Sequence, residues 1–253
     1  MANVRHMFYR GWNLHKNVRV MGLRKSWFMI YFIGIILTVA LIYASDSTIS
    51  AVMSEAVTAR KHTIILDAGH GEPDGGAISC TGVPESRINL EITFKLRDIF
   101  HLMGYKTQMI RETDSSVYKT GDTIAQKKVS DLKERVRTAN STENAILISI
   151  HQNTFSKEQY YGAQVFYAPT GSSKDMADSI QKSLVKNLTP ESGRKSKQGS
   201  GIYLLEHVNI PAVLIECGFI SNRKEEALLR NAIYQQKISC VICQAICGFL
   251  SNT

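Results

Sequence analysis

Two short runs limit this chain more than any other feature. Ala145-Ile-Leu-Ile-Ser-Ile150 and Ala212-Val-Leu-Ile215 are apolar at nearly every position. A strand with one wet face alternates apolar and polar side chains, so a strand apolar throughout must be covered on both faces. Further β-rich runs occur at His62–Asp67, Lys106–Ile110, Gln164–Tyr167 and Ile202–Leu205. Helix-like segments lie between them, at Glu85–Met103, Val129–Thr142, Lys174–Leu188 and Glu225–Leu250. The first of these follows Pro84 and ends before Gly104, and Ile88, Ile92, Leu96, Ile99 and Met103 recur at helical spacing. Strands alternating with helices predict an α/β layer fold around a largely parallel sheet.

The N-terminal part reads differently. Trp27 to Ala44 carries no charge over 18 residues, which as a helix would span roughly 27 Å, close to a hydrocarbon core. Arg5, Arg10, Lys16, Arg19, Arg24 and Lys25 precede it, and the first acid, Asp46, follows it. This asymmetry predicts a basic cytoplasmic N-terminus over 1–26, a transmembrane signal anchor over 27–44 and export of the remainder. A cleaved signal peptide is the alternative, but the run exceeds the usual apolar core of a leader, and the residues around Ala44 make a poor cleavage site. Residues 45–61 are small and polar and read as a stalk, leaving 62–253 as one domain. The chain's net charge of +8 falls mostly on the leader, because beyond it 24 basic residues face 22 acids. That near balance gives no electrostatic case for nucleic acid. Five cysteines are too few for a disulfide scaffold.

In an open α/β sheet, sites gather beyond the carboxyl ends of the strands. Three such ends carry chemistry: one runs into His70, one into His151 and one into Glu216, while Glu85 opens the helix after the first strand. Two imidazoles and a carboxylate are a ligand set of hydrolytic zinc sites, and a second carboxylate can move the proton. Plainer readings stand beside this one. His70 is also a reasonable turn residue, Glu85 an ordinary acid in a first helical turn, and His151 a satisfied strand-end histidine. Glu216 at the end of a buried strand is the hardest to dismiss.

Other motifs are weaker. Residues 69–76 are glycine-rich but lack the Gly-Lys-Ser/Thr of a phosphate loop. Cys240, Cys243 and Cys247 share a face of an apolar helix and read as core residues. Cys217 as a thiol nucleophile, served by His70 or His151, would leave both glutamates idle.

Several blocks, in order, resemble the zinc N-acetylmuramoyl-L-alanine amidases of the amidase-3 type. They are TIILDAGHGEPDGGA, PESRINLEITFKLRDIF, GYKTQMIRETD, LKERVRTAN, AILISIHQN, YYGAQVFYAP and PAVLIECGFISNRKEEALL. The resemblance covers about 62–250. It implies a six-stranded sheet flanked by helices, with Zn2+ held by His70, Glu85 and His151. It implies Glu216 as the general acid/base, and cleavage of the amide between the lactyl group of N-acetylmuramic acid and L-alanine. Ser149 and Asn153 flank His151 and are expected to orient it. Arg111, near Glu112 and Asp114, is expected to form a structural ion pair. Gln152 and Cys217 depart from the family pattern beside site residues.

Within the family, the short chain, the membrane segment and the blocks YYGAQVFYAP and IYLLEHVNIPAVLIECGF resemble germination-specific amidases of spore formers. That implies peptidoglycan of the spore cortex as substrate, a deacetylase in the same pathway and an accessory protein as candidate partners. It also implies a location in the intermembrane space of the forespore. Cell-division members insert a blocking helix after the strand matching Gln164–Tyr167; here a short turn, Ala168 to about Ser173, is expected instead. Residues 114–128 and 193–201, the latter with Arg194, Lys195 and Lys197, are candidate substrate-facing segments, or simply solvated loops. A zinc peptidase acting elsewhere on the stem peptide and a non-catalytic wall-binding scaffold are the competing functions.

Overall fold

The computed structural model describes residues 27, 29–43 and 62–251. The chain divides into two units, Met1–Thr58 and Ala59–Thr253. In the first, residues 27 and 29–43 are helical (α1) and exposed. Among the described residues no helix is long and apolar enough to cross a membrane. Phe28, Ala44, the basic segment 1–26 and the stalk 45–61 lie outside the described residues.

The second unit is built on six strands. They are β1 (Thr63–Ala68), β2 (Thr107–Met109), β3 (Ala145–Asn153), β4 (Gln164–Tyr167), β5 (Lys197–Gln198) and β6 (Ala212–Phe219). The order across the sheet is β2-β1-β3-β6-β4-β5. All neighbours run parallel except β4, which is antiparallel to β6. The central strands β1, β3 and β6 are the apolar runs, and Ile64, Ile65, Leu147, Ile148, Val213 and Ile215 are completely buried. Truncating one of them, such as Ile148→Ala, is expected to cost about 2–5 kcal/mol.

Helices cover both faces, as the apolar strands require. On one side α2 (Glu85–Leu102), α4 (Ser173–Leu188) and α7 (Ala232–Leu250) enclose the larger core, which includes Ile92, Leu96, Ile180 and Ile242. On the other, α3 (Ile124–Asn140) and α5 (Tyr203–His207) cover a smaller core around Ile65, Leu147 and Leu205. α6 (Arg223–Leu229) follows β6. Residues 168–172 join β4 to α4.

Three elements differ from the sequence reading. Ile202–Leu205 is not a strand: Tyr203–His207 forms the short helix α5, with Leu204 and Leu205 both buried. The sixth strand is instead the exposed pair Lys197–Gln198. The expected helix Glu225–Leu250 is two helices, since the Asn231 side chain accepts from the backbone N–H groups of Ile233 and Tyr234 and so starts α7 anew. α3 begins at Ile124 rather than Val129, with Thr123 and Gln126 closing a reciprocal capping box.

Candidate active site

β1 and β3 run side by side, and each ends in a histidine-bearing segment. The α2 N-terminus brings Glu85 to them. Candidate ligand atoms of His70, Glu85 and His151 all lie within 4.8 Å of one another. His151 Nδ1 is 3.0 Å from Glu85 Oε1, and His70 Nε2 is 3.4 Å from Glu85 Oε2. The imidazole centroids are 4.9 Å apart.

The backbone has been shaped to allow this. A Cβ on Gly69 would fall 2.1 Å from His151 Nε2, so only glycine lets that ring lie across the end of β1. Gly76, at φ +73, leaves similar room: a Cβ there would come within 2.7 Å of both Glu85 Oε2 and His70 Cδ2. His70 itself sits at φ +60, a region that non-glycine residues enter only when held.

Two buried arginines hold it. Arg135, from α3, donates to the carbonyls of His70 (2.6 Å) and Ala68 (2.9 Å) and is paired with Asp67 and Asp131. Arg111 donates to the carbonyls of Ala68, Gly69, Ser86 and Thr113, with Asp114 at 3.7 Å. Arg111 is therefore structural, as expected, but its main partners are backbone carbonyls rather than an acid. Arg135 went unnoticed in the sequence, although it lies in the quoted block LKERVRTAN.

Glu85 is fully engaged. Its Oε1 accepts from Asn89 Nδ2 and the Gln152 backbone N–H, both at 3.1 Å, and Oε2 accepts from the Ala77 N–H at 3.1 Å. Burial works to raise its pKa, but the hydrogen bond from His151 and the charges of both histidines outweigh it and hold Glu85 at about 2. Burial would lower His151, and the same carboxylate more than offsets that, leaving it raised. Asp74 faces the other nitrogen of His70, at 3.1 Å, with Lys128 Nζ also 3.1 Å away. The His70 hydrogen bond holds Asp74 well below the usual carboxylate range. Such a carboxylate fixes the imidazole tautomer and leaves Nε2 for a metal. Asp74 was missed in the sequence, where Asp-Gly-Gly reads as a turn.

Neither the Ser149 nor the Asn153 side chain hydrogen-bonds His151. Ser149 Oγ donates to Asp67 Oδ2 at 2.6 Å, because the parallel register sets Ser149 beside Asp67. Asn153 contributes its backbone carbonyl, which accepts from the Ile220 N–H. The side chain that meets His151 is Glu85.

Glu216 lies directly beside His151 in the β3–β6 register. Its Oε2 is buried and has no protein partner. Burial pushes its pKa up to about 7; the charge of His151 lowers it and that of Glu85 raises it. Cys217 is buried, and burial with the adjacent Glu216 charge drives its thiol far up, so it cannot supply a thiolate. The Gln152 and Cys217 side chains contact each other.

Two imidazole nitrogens facing one carboxylate, two glycine-made clearances and an orphaned second carboxylate suit a divalent metal with a proton carrier beside it. The site is a candidate metal centre at the strand ends of an α/β sheet. The family model for N-acetylmuramoyl-L-alanine amidase matches residues 64–248. The chain is 37% identical to the germination-specific N-acetylmuramoyl-L-alanine amidase of Bacillus subtilis over 191 residues, covering 75% of this chain and 80% of that one. Among solved structures it is similar to the CwlD amidase from Clostridioides difficile in complex with the GerS lipoprotein. That similarity has 42% identity and a TM-score of 0.73, and covers 76% of this chain and all of that one. A second amidase, from Clostridium difficile 630, matches at 27% identity and a TM-score of 0.66, over 77% of this chain and 99% of that one. The chain belongs to the N-acetylmuramoyl-L-alanine amidase family. Its activity is hydrolysis of the amide that joins N-acetylmuramic acid to L-alanine in peptidoglycan.

Proposed function

We propose that the chain is a zinc amidase of spore-cortex peptidoglycan, held at the membrane by its N-terminal apolar segment. The convergence of His70, Glu85 and His151 beside the unpartnered Glu216 carries the chemical part. The histidines and Glu85 would hold zinc, with Asp74 behind His70. Zinc bound there supplies Lewis-acid polarisation of the lactyl carbonyl and a lowered pKa for water. Glu216, poised at about 7, accepts a proton from water and delivers it to the L-alanine nitrogen. The C–N bond breaks, the water oxygen stays on the lactyl carbon as a carboxylate, and the stem peptide leaves with a free amine.

The relatives support the biological setting. The similarity to a germination-specific amidase favours the cortex. A freed lactyl carboxylate can close onto the sugar's amine as muramic-δ-lactam only if a deacetylase exposes that amine, so a deacetylase belongs in the same sequence of reactions. The complex of a similar amidase with a lipoprotein favours an accessory protein of that kind. The uncharged 18-residue run favours anchoring, with the domain in the forespore intermembrane space. The test is incubation with cortex peptidoglycan followed by mass spectrometry. Release of intact stem peptides beginning with L-alanine, abolished by chelation and restored by zinc, is expected; cleavage within the stem peptide, or none, refutes the reading.

A further inference from the structure

Beyond Glu216 the rim continues onto β4 and β5, where a cavity of about 660 Å³ opens. Tyr160, Tyr161, Gln164, Arg194, Lys195 and Lys197 are among its lining residues. It holds three cations against one acid, Glu191. Gln164 pairs with Glu216 across the β4–β6 ladder, so their Cα atoms are about 4.5–5.5 Å apart. The pocket therefore begins one strand from Glu216, on the side away from His151.

It is a built pocket. The buried Gln164 donates to the Lys195 carbonyl at 2.7 Å. Arg194 Nε donates to the Tyr161 carbonyl at 3.1 Å, and its guanidinium lies 5.1 Å from the Phe219 ring centroid. The loop carrying the two tyrosines is tied to the start of α6. Ser221 accepts from the Phe155 N–H, Asn222 donates to the carbonyls of Glu158 and Tyr160, and Glu225 accepts from the Gly162 N–H. Glu225 is an electrostatic neighbour of Arg194, but its two oxygens are turned to the Gly162 and Phe219 amides.

The reaction orients the substrate on this rim. The leaving nitrogen must come within hydrogen-bond reach of Glu216 to take its proton, while the acyl carbon lies toward the His70–Glu85–His151 cluster. The peptide attached to that nitrogen then runs past Glu216 onto β4 and β5. We infer that this pocket receives the acidic stem peptide, with Arg194, Lys195 and Lys197 engaging its carboxylates. The inference rests on the amidase reading above. Glycan sugars whose lactyl groups are still amidated are neutral and give a cationic pocket nothing to pair with, whereas guanidinium–carboxylate contacts are charge-assisted.

The experiment uses the full chain with zinc and two disaccharide–stem peptide substrates, one with free peptide carboxylates and one with them amidated. Lys195→Gln/Lys197→Gln changes only exposed side chains, and Arg194→Gln is compared once thermal unfolding shows that it is folded. For the free-acid substrate KM is expected to rise about tenfold in either variant with kcat nearly unchanged. The amidated substrate should start at the higher KM and ignore the substitutions. Equal KM for both substrates, or KM that follows glycan length and not peptide charge, overturns the assignment and leaves the amidase standing. Failure of the wild-type protein to cleave either substrate overturns both.

Discussion

The rim of the sheet has two carboxylates near enough to feel each other's charge, in opposite electrostatic conditions. On the β1–β3 side Glu85 is ringed by donors, and each of its oxygens has a partner. On the β6 side Glu216 has a buried oxygen with none. The same side chain is held at about 2 in one place and pushed up to about 7 in the other. Burial acts on both in the same direction. What differs is the company: imidazoles and amide N–H groups stabilise the charge of Glu85, and little repays the desolvation of Glu216. A permanently ionised group suits a ligand, and a group titrating near neutrality suits a proton carrier.

Glu216→Gln should show the largest effect. It keeps shape and removes the titrating oxygen, so kcat should fall by about 10²–10⁴-fold with zinc content and fold unchanged. Near-normal turnover in stopped assays of the variant would end the division of labour between the two glutamates.

Arg135→Ala attacks the fixed side from behind. It leaves Asp67 and Asp131 without their buried partner and releases the carbonyls of Ala68 and His70. A loss of about 3–5 kcal/mol is expected in denaturant unfolding. A small loss would mean that the strained His70 loop is held by something else.

Asp74→Asn tests the same side more gently. Zinc affinity should drop about 10–100-fold, measured by competition with a chelator, while apo-protein stability changes little. Unchanged affinity would show that Asp74 serves Lys128 rather than His70.

The pH profile sharpens the comparison most finely. Glu216 must begin ionised to accept a proton, and its raised pKa means that the ionised form grows as pH climbs through about 7. Activity should therefore rise with pH across that range. Glu85, at about 2, should contribute no limb in it. A profile flat from pH 6 to 8 would contradict the assignment of Glu216.

The fold and the site were legible to different depths. Runs apolar at nearly every position declared the buried strands, and helical spacing declared α2, because both signals are local. The break between α6 and α7 depends on one asparagine turning back on the next helix, and the 202–205 run was misread because a short apolar stretch fits either strand or turn. At the site, His70, Glu85, His151 and Glu216 stood out as chemistry placed at strand ends and at a helix start. Their helpers did not. Arg135 reaches His70 across 65 positions and Ser149 reaches Asp67 across 82. Ser149 was expected to serve His151, two residues along the same strand, but side-by-side register gave it Asp67 on β1 instead.

By itself, then, the amino-acid sequence determined which segments must be buried, which must be helical and which reactive side chains sit at their ends. These follow from periodicity and composition within a dozen residues. Only the tertiary structure decided which glutamate keeps its charge and which gives it up. It also decided that Gly69 yields its space to His151, and that a basic pocket opens beside Glu216. A pKa and a pocket are set by what surrounds a group in space, and here the surroundings come from strands and loops distant in the chain.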